Sequence, residues 1–387
     1  MKPRSPGFTA GRLTQARESA GLTKAELAGL VGVTSAAIGQ YEAGERTPGP
    51  DILERLSNQV GQPLAFFMRP APPTRSGVVF YRSFQAAARV ARLKAQARMT
   101  FLWDAMDYFS SLIELPAVDM PKVGSLPWHP REITDQMIES AALIARQHWN
   151  LGDAPAPNIV WLLEGSGAVV MRLDLGSDKL EALSEWRDED GRPYVILNSL
   201  KRNAFRSRAD VAHELGHLLL HRHVTQEQLD DKETFKLIEE QAWQFAQNFL
   251  LPDTAFMRDV YSLNLDALRT LKPKWKVSIA FMLHRIYSLG VLSSDKYTNY
   301  RKYLAQRGWL KTEPFDIETE PEQPLLLKQM VEFMSERKIH SPDQLLTGLA
   351  FNPELLEELT QVDQGFFQLG HPRYPMNVKF SPKRRVG

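Results

Sequence analysis

Apolar residues recur at the three- and four-residue spacing of amphipathic helices over most of this chain, and one central stretch departs from it. Residues 10–67 read as several short helices, with Leu13, Leu22, Leu27, Leu30, Val31, Val33, Ile38, Leu53 and Leu56 turned inward. A turn at Gly32 separates two of them, which suits a helix-turn-helix. The run "RPAPPTRSG" (69–77) breaks the period and reads as a linker. From about 80 to 115 the spacing is helical again, with Arg82, Arg89, Arg92, Lys94 and Arg98 on the wet side. After "MPKVGSLPWHP" (120–130), a further helix is predicted near 131–150.

The period then shortens. "NIVWLLEGSGAVVMRLDLG" (158–176) and "EALSEWRDEDGRPYVILN" (181–198) hold short β-branched and aromatic runs divided by turn residues, which predicts a small antiparallel sheet. Helical spacing returns from 232 to about 312. A hinge rich in Pro and Glu (313–324) comes next, then a last helical region and the basic tail "KFSPKRRVG".

Composition narrows the classes. A chain of 387 residues exceeds one ordinary core. A net charge of +1 leaves any nucleic-acid contact to a local patch. The absence of cysteine excludes disulfides, cysteine zinc fingers and thiol catalysis. The chain has no apolar run of about 18 residues and no signal core, so neither a membrane nor export is expected and a cytoplasmic setting is.

The chemistry concentrates in "AHELGHLLLH" (212–221). His213 and His217 lie four apart on one helical face, where both imidazoles can reach one zinc ion at roughly 2.0–2.1 Å. Glu214, one position round, faces a metal-bound water, which is the HExxH arrangement. Zinc brings that water's pKa to about 7, and Glu214 takes its proton and returns it to the leaving amine. Gly216, costing about 1 kcal/mol in mid-helix, leaves room for close approach by another backbone or side chain.

A third ligand is needed, and "LIEEQAWQFAQNFLLP" (237–252) offers Glu239 and Glu240. Glu239 falls on the face of the core stripe Ala242, Phe245, Ala246 and Phe249, where a carboxylate is costly unless a cation waits there. Glu240 is rotated away. Glu239 is chosen, with Glu240 as the fallback. Zn2+ is the expected cofactor, with another divalent cation such as Mn2+ as the alternative.

"HELGHLLLH" followed by "EEQAWQFAQNFLLP" resembles the ImmA/IrrE family of zinc metallopeptidases. The resemblance implies that His213, His217 and Glu239 are the ligands and Glu214 the base. It matches His221 to the family's trailing histidine, a second-layer partner or a polar group at the rim. Asp210 departs from the family pattern and puts a charge near the site entrance. In peptidases of this build a substrate strand adds to the sheet edge, here around Ala182–Trp186 or Tyr194–Asn198.

Residues 11–67 are similar to the XRE/Cro-like repressor domain, which places a recognition helix at about Ser35–Glu42. Lys24, Ser35, Ala36 and Gln40 would face a major groove, with Arg12, Arg17 and Arg46 near phosphates. Residues 268–314 resemble the segment after the peptidase core in long family members, with Lys272, Lys274, Lys276, His284 and Arg285 flanking an apolar seam.

The expected architecture is multi-domain and mainly α: an XRE/Cro-like domain (8–68), a linker (69–79), an α+β zincin-like peptidase domain (80–260), a helical lobe (261–315), and a C-terminal helical unit with a basic tail (316–387). The function implied is cleavage of a repressor or antitoxin-like regulator to switch on a stress, mobile-element or defence response. Double-stranded DNA is a second expected partner, and a homodimer is left open. The rival expectations are a non-proteolytic regulator that senses metal or ligand, and an antitoxin-like binding protein.

Overall fold

The computed structural model describes residues 7–72, 80–81, 89–177, 179–200, 202–367 and 381–382. Arg82, most of the linker and most of the basic tail lie outside them.

The chain opens with four short helices, α1 (Ala10–Ser19), α2 (Lys24–Val31), α3 (Ser35–Glu42) and α4 (Pro50–Val60). Local chemistry sets their limits. Thr23 and Glu26 cap α2 reciprocally, Gly32 ends it at φ 69°, and Thr34 caps α3. Strand β1 (Phe80–Tyr81) precedes the long helix α5 (Arg89–Leu112) and the short β2 (Ile113–Glu114). Helices α6 (Asp135–His148) and α7 (Ile159–Gly165) lead to β3 (Val169–Leu173), β4 (Ala182–Arg187) and β5 (Arg192–Asn198).

Two expectations for this stretch are corrected. Residues 159–165 form a helix because the Asn158 side chain accepts from Trp161 N and Ile159, Val160 and Leu163 all turn inward. The main sheet, ordered β1-β4-β5-β3, is mixed. The β4–β5 hairpin inserts β5 beside β3, so β5 runs antiparallel to β4 and parallel to β3.

Next come α8 (Ala204–Leu220), α9 (Gln226–Asp230), α10 (Lys232–Leu250), α11 (Asp253–Asp259), α12 (Leu265–Trp275), α13 (Ile279–Ser288) and α14 (Ser294–Gln306). The chain finishes with α15 (Leu326–Glu336), α16 (Pro342–Leu349), α17 (Pro353–Thr360) and β6 (Ser381–Pro382), which pairs with β2. No helix among the described residues is long and apolar enough to cross a membrane.

The main sheet is covered on both faces, and its strands sort their side chains by alternation. Val169, Met171, Leu173, Leu183, Tyr194 and Ile196 join one core with α5, the N-terminal helices and α15–α17. Val170, Ala182, Val195 and Leu197 join the other with α6–α8 and α10–α14. Helix α5 is therefore a spine: Phe101 stacks on Phe66 at 5.3 Å and meets Phe351 edge-on at 5.1 Å. Its basic side chains are partly spent on neighbours, Lys94 on Asp174 and Arg98 on Glu358.

The lobe after α10 packs its seam as read, but two of its flanking cations are interior. Lys272 is fully buried, bonded to Glu313 at 2.9 Å and Asp316 at 2.5 Å, and Arg285 donates to Leu251 O. Neither is available to nucleic acid.

Candidate metal centre

Helix α8 starts on an Asn203 cap, and every residue from Ala204 to Leu220 except Arg206 is buried. Helix α10 starts on Asp231, which accepts from Thr234 N at 2.9 Å. The two cross at Gly216. A Cβ there would lie 3.1 Å from both Cα and O of Ala242 and 3.2 Å from the Phe245 ring. The bare Cα thus permits backbone-to-backbone approach, and it brings the turn of α10 before Ala242 onto the histidines.

That turn carries Glu239. His213 Nε2 and His217 Nε2 are 2.9 Å apart, and the Glu239 oxygens lie 3.4 Å and 3.3 Å from them. Atoms sharing a tetrahedral zinc at roughly 2.0–2.1 Å are about 3.3 Å apart, so this donor set fits such an ion. Both imidazoles are fully buried. Burial opposes a charge on Glu239, but the adjacent His213 and His217 hold its carboxyl well below the usual range. Glu240 stands outside, with its side chain 63% exposed and paired with Lys236.

Glu214 is fully buried beside this group. Ser184 Oγ donates to its Oε2 at 2.5 Å, while Oε1 is buried and accepts no hydrogen bond from a described residue. Burial pushes its carboxyl up to about 7, against the pull of His217 and Ser184. A proton can therefore move on and off it near neutrality. His221 is buried as well, its Nδ1 3.0 Å from His217 Nδ1 and its Nε2 3.0 Å from Gln241 Oε1. Burial, then His217, pushes its pKa down to about 3, so it is neutral.

Two hollows flank the centre. One, of about 810 Å³, is lined by Asp210, Trp243, Phe281, His284 and Tyr297 among others. Asp210 is buried at its wall, and the Trp243 ring lies 4.5 Å from the His213 ring. The second, of about 600 Å³, is lined by Trp128, Trp186, Leu218 and His223 among others, with His223 stacked on Trp128 at 4.7 Å. Glu181, just before β4, reaches the first hollow and Trp186, near its end, the second. Of the two sheet edges named from sequence, Tyr194–Asn198 is interior, flanked by β4 and β3. The outer side of β4 is paired by the chain's own β1, Phe80 opposite Ser184 and Tyr81 opposite Leu183.

In the N-terminal unit, α3 spans Ser35–Glu42, and Ser35, Ala36, Gln40 and Arg46 are exposed. Lys24 is exposed with its Nζ 3.1 Å from Glu42. Arg12 and Arg17 are not near any phosphate path: both are buried, Arg12 on Asp104 and Arg17 on Glu42.

Three side chains here escape a reading of the motif alone: Ser184, Gln241 and Trp243. Gln241 had a signal, because it follows Ile238 by three on the buried face of α10, a polar group where an apolar one is expected. Ser184 becomes visible only through strand pairing.

Residues 163–287 match the family model Peptidase_M78, the IrrE N-terminal-like domain, and residues 13–67 match the helix-turn-helix model HTH_3. No curated protein matches the chain.

Proposed function

We propose that this chain, a member of the ImmA/IrrE metallopeptidase family with an N-terminal helix-turn-helix domain, is a zinc-dependent endopeptidase that cleaves a repressor or antitoxin-like regulator in the cytoplasm. The observation that carries the reading is the convergence of His213 Nε2, His217 Nε2 and the Glu239 carboxylate at zinc-ligand separations. Those three side chains would hold the ion, which when bound acidifies a water and polarises the scissile carbonyl. Glu214 Oε1 takes the proton and delivers it to the leaving amine. The Ser184 hydroxyl, fixed on Oε2, keeps that carboxylate in one orientation. Trp243 and the packed face of α10 shield the histidines from solvent.

Strand β4 runs between the two hollows, which supports a substrate lying extended along it with side chains in both. Phe80–Tyr81 hold that edge, so substrate and this segment compete for it. The exposed face of α3 and the turn after it support a second partner, double-stranded DNA, met through Ser35, Ala36 and Gln40 on the helix and Arg46 on the turn.

Incubation of the zinc-loaded chain with regulators encoded beside it, read by mass spectrometry, tests the reading. Glu214→Gln should keep the metal and lose roughly 10²–10⁴-fold in cleavage. A Phe80→Pro/Tyr81→Pro variant, which cannot donate from that strand, should cut faster, and an unchanged rate removes the competition. The full burial of His213, His217 and Glu214 also favours a second reading, a metal-sensing regulator without turnover. Zinc bound with nothing cut by the unaltered chain or the proline variant would decide for it.

A further inference from the structure

We propose that Trp243 is a specificity-determining residue: its indole is a movable partition between the hollow of about 810 Å³ and the metal centre, and it decides by size what reaches the ligands. The inference rests on the zinc reading for its purpose, while the partition stands on its own geometry.

The three ligands differ in exposure. The side chains of His213 and His217 have 0% of their surface exposed, whereas that of Glu239 keeps 17%. An approach from outside therefore passes along Glu239. Trp243 follows Glu239 by four on α10, so the two side chains share one face, a turn apart. The indole lies 4.5 Å from the His213 ring, tilted at 40° to it. It also lines the hollow, together with Ala209, Asp210 and Phe281, while none of the three ligands does. A ligand stands on one side of the indole and open space on the other.

The helices cannot part to widen that route. Ala242, next to Trp243, is where α10 meets α8 backbone to backbone at Gly216. What can move is the side chain. Trp243 is half-buried, is propped edge-on by the Phe281 ring at 6.2 Å, and borders a hollow large enough to receive an indole. Turning about its two side-chain torsions exchanges those ring contacts for the hollow and uncovers His213. Small molecules pass beside the Glu239 carboxylate without that turn, and a bulky group needs it. Phe281 belongs to α13, which gives the lobe after α10 a part in access.

The chain has no cysteine, so His213→Cys in the full, metal-free chain puts a single thiol behind the indole. Its reaction with N-ethylmaleimide and with the bulkier fluorescein-5-maleimide reads the opening. Adding Trp243→Ala should raise the bulky reagent's rate about tenfold, the hold of a ring contact such as that of Phe281, and the small reagent's rate by less. Ala142→Cys, buried on α6 away from the hollow, should keep its rate when Trp243→Ala is added. An unchanged rate for the bulky reagent or an equal rise for both reagents overturns the partition. So does a rise at Ala142→Cys as large as at His213→Cys, because Trp243 would then act by holding the fold. Should His213→Cys not fold, His217→Cys, whose position is as fully buried, replaces it with the same outcomes. Zinc binding is measured separately on the unaltered chain: none bound ends the peptidase reading, while the labelling rates still decide the partition.

Discussion

Buried charge is completed in two different ways in this molecule. Where α1 meets α5, the Arg12 guanidinium lies on Asp104, Gln15 bridges both at 2.7 Å and 3.1 Å, and Arg12 Nε donates to Pro70 O at 2.7 Å. Each nitrogen of that guanidinium meets an acceptor within the chain. Between α8 and α10 the convergent atoms are two imidazole nitrogens and a carboxylate, all able to offer electron pairs to one point. On the zinc reading, such a group is completed by a cation from outside. A buried charge matched by the fold is a joint, whereas buried acceptors gathered together make a receptor. The triad Lys272–Glu313–Asp316 is of the first kind, tying the hinge after α14 to α12.

Removing one member of each group gives opposite phenotypes, and this is the largest effect expected. Asp104→Ala leaves Arg12 buried without its carboxylate, which should cost about 3–5 kcal/mol in denaturant unfolding while zinc stoichiometry is unchanged. Replacing both partners, Arg12→Met with Asp104→Leu, should recover most of that loss. Glu239→Ala should strip the metal on dialysis and leave metal-free stability nearly intact. Zinc retained by Glu239→Ala, or lost by Asp104→Ala, would erase the distinction between joint and receptor.

The receptor was far more legible in the sequence than the joint. Its residues sit at fixed offsets on two helices, and helical spacing converts offset into geometry: four residues from His213 to His217, and three from Glu239 to the Ala242 stripe. Gly216 announced the close crossing for the same reason. Arg12 and Arg17 carried no such signal, because their partners lie 92 and 25 residues away and their charge alone suggested phosphate. The helical stretch 159–165 was hidden by its β-branched and aromatic content, although the Asn158 cap outweighs that preference. The parallel pairing of β3 with β5 depends on which side of β4 the hairpin folds, a choice made by the two packed faces and invisible in any local pattern.

Another buried acid sharpens the comparison, because Glu164 is in no ion pair with a described residue and stands apart from the receptor. It accepts from Leu325 N at 3.0 Å and Leu326 N at 2.9 Å, at the start of α15. Burial pushes its carboxyl from 4.5 up to about 7, with those two amides working against the rise. The folded chain therefore takes up a proton that the unfolded chain has lost between those values. The stability involved is fully present below about pH 4.5 and lost as pH rises through 7, by up to about 3 kcal/mol. Urea unfolding at pH 5 and pH 8 should show that fall, and Glu164→Gln should make it shallower, leaving the share of Glu214, which burial raises to about 7 as well. An equal slope in the variant would mean that other groups carry the dependence.

The smallest effect asks which cations of the N-terminal unit remain for DNA once the interior has taken its share. Arg12 and Arg17 are consumed, and Lys24 is exposed but shares Glu42 with Arg17. Arg46 is exposed, with its guanidinium 5.8 Å from the centre of the Tyr41 ring. An arginine on a phosphate releases close to one counterion, so Arg46→Ala should lower the slope of log affinity against log salt by about 1 on duplex DNA. Lys24→Ala should lower it by less, since part of its charge is already answered by Glu42. Equal slopes for both variants and the unaltered chain would take DNA away from this face, and the helix-turn-helix would then serve another partner.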